Sequence, residues 1–133
     1  MVHFENSYQF GKQKENDVLP IIKEYFNRDI KASTNKWAKW DFTDETANYE
    51  LKSRTNYLDK YPDTMITANK ITDVRDKKTI FLFNFTDCIA FIEYTEDGFK
   101  DYTVKEFSRA KIKEDEKKHI YIPVEDLTII KKY

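Results

Sequence analysis

Three charged side chains in the middle of the chain have a spacing that suits chemistry on phosphate esters. Asp41 stands eight residues before Glu50, and Lys52 follows Glu50 by two positions. Two carboxylates from adjacent strands can bind one divalent cation, because Mg²⁺ takes oxygen ligands and keeps several waters. The ammonium of Lys52 would hold a water or a phosphate beside them, and the backbone carbonyl of Leu51 is a further candidate ligand. The pattern predicts metal-assisted hydrolysis.

An acid followed two positions later by lysine is a weak signal by itself, because the triplet occurs five times in this chain. The Glu50/Lys52 pair differs from the other four by its context. It lies in a segment of alternating apolar and polar residues, 47–53, which is typical of a strand. A second probable strand, 36–43, precedes it and carries Asp41 among apolar residues.

These two segments predict a β-hairpin joined by a short acidic turn. Side chains alternate across a strand. Trp40 and Phe42 are therefore expected on one face of the first strand, and Asp41 on the other. In the second strand, Glu50 and Lys52 are expected to project together from one face.

A helix is predicted over residues 15–28 from an apolar stripe with helical periodicity. Glu15 extends this stripe, which is unusual for a carboxylate that binds nothing; capping of the helix is the alternative interpretation. Pro20 is tolerated only in a first turn, so we expect the helix to begin near Asn16, with Glu15 at its cap. The stripe consists of Val18, Leu19, Ile22, Tyr25 and Phe26.

The rest of the chain predicts several strands and one more helix. We expect a short strand at 64–68, a helix at about 69–76, aromatic-rich strands at 79–85, 88–94, about 102–111 and 119–122, a solvated turn at 113–118, and a turn of helix at 124–127. This order is typical of an α+β or mixed α/β fold. The length of 133 residues suits one domain spanning 1–133.

Glu15 on a first helix, Asp41 on a strand, and Glu50-Leu51-Lys52 on the next strand together resemble the PD-(D/E)XK nuclease superfamily. The segment from Thr64 to Phe85 is similar to the later strand–helix–strand part of that core. The resemblance implies a restriction-endonuclease-like core, with a central mixed β-sheet flanked by helices and extra C-terminal aromatic β-hairpins.

The same resemblance implies roles for the site residues. Asp41 and Glu50 are expected to bind Mg²⁺ or Mn²⁺, Lys52 to position the water or the phosphate, and Glu15 to support a metal. Trp40 stands where the family name has proline. The chain looks like a small phage or virus member, distantly similar to archaeal-type Holliday-junction resolvases, although no motif specifies that substrate.

The charge distribution has an acidic segment between two basic ones. Residues 41–50 carry a net charge of −4, whereas 28–40 and 51–80 each carry +3. A solvated mixed surface also produces such blocks, but a metal site that meets phosphates would need this arrangement. Candidate contacts to DNA are the basic residues Lys36, Lys39, Arg54, Lys60 and Lys70.

Composition excludes several other classes of function. The single cysteine, Cys88, excludes an internal disulfide and a multi-cysteine zinc site and fits a reducing compartment. Two glycines exclude the glycine-rich loops of nucleotide-cofactor folds. No apolar run suits a membrane span, and the N-terminus does not resemble a signal peptide. We therefore expect a cytoplasmic protein, in the host cytoplasm if a phage encodes it.

The sequence favours a Mg²⁺-dependent DNA endonuclease, and cutting both strands would call for a homodimer. A net charge of −1 provides little long-range attraction for DNA. A noncatalytic nucleic-acid- or protein-binding domain that retains the nuclease fold therefore stays as the alternative. An RNA nuclease is not distinguished from a DNA nuclease, because contacts to the 2′-hydroxyl are not evident in a sequence.

Overall fold

The computed structural model describes residues 3–34, 38–71, 77–107 and 117–133. Its helices are α1 (His3–Phe26) and the short α2 (Glu96–Phe99). Its strands are β1 (Lys31–Ala32), β2 (Phe42–Thr43), β3 (Ala47–Ser53), β4 (Asp63–Thr67), β5 (Lys78–Asn84), β6 (Cys88–Glu93), β7 (Thr103–Phe107), β8 (Lys117–Pro123) and β9 (Thr128–Lys132). Single 3-10 turns occur at Leu58–Lys60, Ala68–Ile71 and Val124–Asp126.

The strands form two sheets, and the fold is α+β. The larger sheet has six strands in the order β1-β2-β3-β5-β6-β9, and the smaller has three in the order β4-β8-β7. In the larger sheet β3 and β5 pair in parallel, while the other pairs are antiparallel, so the sheet is mixed. The smaller sheet is entirely antiparallel.

The six-stranded sheet is covered on both faces, by α1 on one and by the three-stranded sheet on the other. The continuous apolar sequence of β5 explains this, because a strand buried on both faces has no polar side to show. Ile80 and Leu82 belong to the cluster that includes Val18 of α1. Phe81 and Phe83 belong to a second cluster with residues of β4 and β8. The prediction of a central mixed sheet is confirmed, but its second flank is a sheet, not a helix.

Helix α1 is longer than predicted, beginning at His3, so Glu15 lies within it and not at its cap. Pro20 lies inside the helix, where it removes one backbone hydrogen bond at a cost of about 3 kcal/mol or more. The expectation of a first-turn proline was wrong. Burial of Val18 and Ile22, both fully inaccessible, offsets this cost. The helix ends at Phe26 because Asn27 adopts a left-handed backbone, with φ of 53°.

The predicted hairpin is present, but its first strand is much shorter than 36–43. Only Phe42–Thr43 pairs with β3, and 35–37 lie outside the described residues. Trp40 and Phe42 were expected on one face, yet Phe42 packs with the α1 cluster and Trp40 with the second cluster. The alternation fails because the backbone bends at Asp41.

The predicted strand–helix–strand segment from Thr64 to Phe85 is not continuous in one sheet. Strand β4 confirms the short strand near 64–68 but belongs to the smaller sheet, whereas β5 lies in the larger one. The expected helix at 69–76 overlaps a single 3-10 turn, Ala68–Ile71, and 72–76 lie outside the described residues.

Strands are present near the predicted C-terminal segments 79–85, 88–94, 102–111 and 119–122, with three differences from the prediction. The β5–β6 hairpin is part of the main sheet and not an addition to it. Lys117 and Lys118 begin strand β8, although both were assigned to a turn; residues 108–116 lie outside the described part. Strand β9, which forms the far edge of the main sheet, was not predicted. No helix among the described residues is long and apolar enough to cross a membrane.

Candidate functional site

The candidate site lies where β2 separates from β3. The last backbone hydrogen bond there runs from Asp41 N to Tyr49 O, at 3.0 Å. Beyond it the carboxylate of Asp41 takes the place of a partner strand, because Oδ2 accepts a hydrogen bond from Leu51 N at 2.8 Å. A residue's N–H and C=O point to the same edge of a strand. The Leu51 carbonyl therefore faces the same gap between the strands as Asp41.

Glu50 projects from β3 towards the smaller sheet, and it is 5% exposed. In the parallel pairing of β3 with β5, Glu50 lies beside Phe81, which belongs to the second cluster. The Nζ atom of Lys70 lies 2.6 Å from Glu50 Oε2. The ammonium of Lys70 is therefore the counter-ion of this buried carboxylate.

The carboxylates of Glu15 and Glu50 both lie within hydrogen-bonding reach of Asp41. Burial, and then the neighbouring Asp41, raise the pKa of Glu50 to about 7, although Lys70 and Lys52 oppose the shift. The same two causes raise the pKa of Glu15, against the effect of Lys12, whose Nζ lies 3.3 Å from Glu15 Oε2. Burial and the proximity of other carboxylates both disfavour the charged form of a carboxyl group, and here they outweigh the nearby lysines.

The described residues contain no group of three acidic, histidine or cysteine side chains arranged to hold one metal ion. Asp41 contacts each of the other two carboxylates, but the three do not form one ligand set. The prediction that Asp41, Glu50 and the Leu51 carbonyl hold one cation stays a prediction. Glu15, from the helix on the opposite face of the sheet, meets Asp41 at the sheet edge and is placed to support it.

Lys52 shares the face of Glu50 on β3, as the strand alternation predicts. Burial lowers the pKa of its ammonium, and the nearby cations Lys70 and Arg54 lower it further, while Glu50 and Asp41 raise it. Its amine is therefore easier to deprotonate than a solvated one. Such a lysine can hold a proton, a water or a phosphate oxygen close to the two carboxylates.

The five basic residues that were predicted to contact DNA have different surroundings in the structure. Lys36 lies outside the described residues. Lys39 stacks its ammonium on Trp40 at 5.2 Å from the ring centre. Arg54 donates to Met65 O at 2.7 Å and to Thr64 Oγ1 at 3.3 Å. Lys60 is exposed on a 3-10 turn, and Lys70 reaches Glu50, where its Nζ also donates to Lys39 O at 3.3 Å.

The ion pair between Lys70 and Glu50 was not predicted. The two residues lie in different parts of the fold, since Lys70 follows a strand of the smaller sheet. No local pattern connects them, and only the packing of one sheet on the other brings Lys70 to the site. The sequence had suggested a phosphate contact for Lys70 from its place after the third predicted strand.

The chain was compared with models of protein families, with curated proteins and with solved structures, and none of the three comparisons gave a significant match.

The stability of the metal-free protein should fall as pH rises from about 5 to 8. Glu50 has a folded pKa near 7, above its ordinary value of 4.5, so the folded state holds a proton that the unfolded state has released. This stabilisation is fully present below the unfolded pKa and is lost as pH passes the folded pKa, by at most on the order of 3 kcal/mol.

Urea denaturation at several pH values measures this effect in wild type and in Glu50→Gln. The variant should show a much flatter profile between pH 5 and 8, with the smaller contribution of Glu15 remaining. Equal slopes in the two proteins would mean that Glu50 ionises normally in the folded state.

Proposed function

We propose that this protein is a metal-dependent endonuclease that hydrolyses phosphodiester bonds in DNA. The observation that carries the proposal is the arrangement at the edge of β3. Two carboxylates, Asp41 and Glu50, lie within hydrogen-bonding reach of each other, and the ammonium of Lys52 projects from the same strand face as Glu50. A buried carboxylate beside a half-buried carboxylate and a half-buried lysine, with the pKa values of Glu50 and Lys52 shifted, is typical of functional sites.

The ligand chemistry of the site suits Mg²⁺ or Mn²⁺. Carboxylate and carbonyl oxygens are what these ions prefer, and Asp41, Glu50 and the Leu51 carbonyl would hold the ion. The buried position of Glu50, 5% exposed and beside Asp41, supports this assignment. When bound, the ion supplies neutralisation of phosphate charge and a lowered pKa of coordinated water.

The protein's own side chains orient the reactants. Lys52 holds the attacking water or a non-bridging phosphate oxygen. Glu15 keeps the Asp41 carboxylate in place, while Asp41 Oδ2 is fixed by the backbone of Leu51. Lys70 balances the charge of Glu50 in the absence of a cation, and it is placed to contact the phosphate when a cation takes over that task. Cutting both strands of a duplex requires a second copy of this chain, so we propose a homodimer on such substrates.

The test is cleavage of supercoiled, single-stranded and four-way-junction DNA in Mg²⁺, in Mn²⁺ and in EDTA. Wild type should cut at least one substrate only when the metal is present. Lys52→Met keeps the half-buried stem but removes the ammonium, and it should lower the rate by about 100-fold or more, the usual scale for losing a group that positions or transfers a proton.

Lys78→Met is the matched control, because Lys78 also lies on a central strand of the sheet but has an exposed side chain. It should cut at the wild-type rate. The nuclease proposal is wrong if pure wild-type protein cuts no substrate in either metal, or if its activity equals that of Lys52→Met.

A second candidate function is a noncatalytic nucleic-acid- or protein-binding domain. The observation that favours it is the short distance from Lys70 to Glu50, because an ammonium so close to Glu50 can replace a metal ion permanently. Thermal melting distinguishes the two functions. A rise in melting temperature with Mg²⁺ or Mn²⁺ supports the nuclease, and an unchanged melting temperature in both metals supports the binding domain.

A further inference from the structure

A cavity of about 590 Å³ opens next to the candidate site, on the side of Arg54. Its size lies within the range of pockets that bind small ligands or parts of larger ones, roughly 300–1,000 Å³. Arg54 follows Lys52 by two positions, so in an extended chain their side chains point to the same face, about 7 Å apart. The cavity therefore begins one side chain beyond the proposed catalytic lysine.

The guanidinium of Arg54 is held rigidly in the wall of this cavity. Its Nε donates to Thr64 Oγ1 and its Nη2 to Met65 O, and its plane lies near the Phe83 ring, 5.8 Å from the ring centre. These two hydrogen bonds use Nε and Nη2, so Nη1 of Arg54 takes part in neither of them. An arginine fixed by two bonds and an aromatic ring presents its remaining donors without a large loss of side-chain entropy.

Aromatic and polar side chains complete the lining. Tyr61, which is 55% exposed, and Tyr121 contribute rings. Asn56 and Asp63 contribute groups that can hydrogen-bond to the edge of a base. An exposed aromatic ring and a fixed cation lining one cavity, here Tyr61 and Arg54, are an arrangement that proteins use to stack unpaired nucleobases.

We propose that this cavity binds an unpaired base of the DNA strand being cut, next to the scissile phosphate, so that the preferred substrate is single-stranded or locally unpaired DNA. This inference rests on the proposed nuclease function for its link to cutting. A base inside a duplex is stacked on both sides and cannot enter a cavity without being extruded. Tyr61 supplies the stacking face, and Arg54 supplies donors to the adjoining phosphate or base edge.

Fluorescence anisotropy in EDTA tests the binding without any cleavage, using a labelled single-stranded DNA 20-mer of mixed sequence, the matching duplex and an RNA of the same sequence. Wild type should bind the single strand more tightly than the duplex. Tyr61→Ala should weaken single-strand binding about tenfold, which corresponds to ~1.4 kcal/mol of lost stacking. Tyr61→Phe keeps the ring and should bind like wild type.

Tyr25→Ala is the control, because Tyr25 is 45% exposed but packs on Phe91, on the opposite face of the main sheet. Its affinity should equal that of wild type. Duplex preference, tighter binding of the RNA, or an unchanged affinity in Tyr61→Ala would each overturn the inference. Cleavage is measured separately in Mg²⁺. If the protein binds single strands through Tyr61 but cleaves no DNA, the nuclease proposal is wrong and the proposal of a base-binding cavity stands.

Discussion

Asp41→Asn should lower the rate of metal-dependent cleavage by about 1,000-fold or more, because it alters a proposed ligand of the metal ion, and it should at the same time stabilise the metal-free protein. The amide keeps an oxygen that can accept the hydrogen bond from Leu51 N, so the backbone at the edge of β3 is retained. It removes a charge that repels Glu15 and Glu50. The stabilisation should be about 1 kcal/mol, a typical strength for interactions between partly buried charges.

The same substitution should eliminate the effect of metal on stability. A ligand that binds only the folded protein raises its melting temperature by mass action, so wild type should melt higher in Mg²⁺ or Mn²⁺, and Asp41→Asn should melt equally with and without metal. The control Asp29→Asn changes an exposed carboxylate whose Oδ2 lies 3.8 Å from Lys31 Nζ; it should leave the cleavage rate and the metal response unchanged. A lower stability for metal-free Asp41→Asn than for wild type would contradict the account of carboxylate repulsion.

Asp44→Ala should lower the free energy of unfolding by about 3 kcal/mol, the largest stability effect that we expect from a polar residue here. Asp44 is buried in the turn between β2 and β3. Its Oδ1 accepts from the backbone N of Thr46 at 2.7 Å and of Ala47 at 2.8 Å, and its Oδ2 accepts from the Tyr49 hydroxyl at 2.6 Å. Alanine leaves two buried donors, the Ala47 N–H and the Tyr49 hydroxyl, without that partner.

The pKa values in this turn agree with that role. Burial raises the pKa of Asp44, but the hydrogen bonds from Tyr49, Thr46 and Ala47 outweigh burial, and the net pKa is lowered. Burial and the contact with Asp44 raise the pKa of Tyr49 to about 12. Because the folded pKa of Asp44 is depressed, its contribution is present above its unfolded pKa and is lost as pH falls through the folded pKa.

Urea denaturation at pH 7 measures the expected loss. Glu45→Ala is the matched control, since Glu45 is the next residue but is exposed, and its effect should stay within about 0.5 kcal/mol. Asp44→Asn should fall between the two, because it keeps one oxygen acceptor for the turn but loses the charge. If Asp44→Ala unfolds at the wild-type urea concentration, these hydrogen bonds do not hold the hairpin together.

Local patterns predicted the hairpin that carries the candidate site. The alternation in 47–53 assigned Glu50 and Lys52 to one strand face, and the apolar sequences of β5 and β6 identified two central strands. Each of these predictions depends on periodicity within a few residues, and burial of one face enforces that periodicity. The apolar stripe likewise identified α1, although not its start, because the residues before Glu15 form no comparable stripe.

Longer-range features were not predictable in this way. The assignment of Trp40 and Phe42 to one face failed because the chain bends at Asp41, where a side chain replaces a backbone partner. The second flank of the main sheet was expected to be helical, but β4 pairs with β8, more than fifty residues away in the chain. Pairing between distant strands is decided by the packing of the whole core, and no local sequence signal reports it.

The sequence by itself determined which residues could do chemistry and which strand face two of them share, because residue type and strand alternation are local properties. Only the tertiary structure decided that Asp41 lies against both Glu50 and Glu15, that Lys70 pairs with Glu50, and that a cavity lined by Arg54 and Tyr61 opens beside them. These groups come from a helix and two separate sheets. Their distances are fixed when α1 and the smaller sheet bury opposite faces of the same central strands.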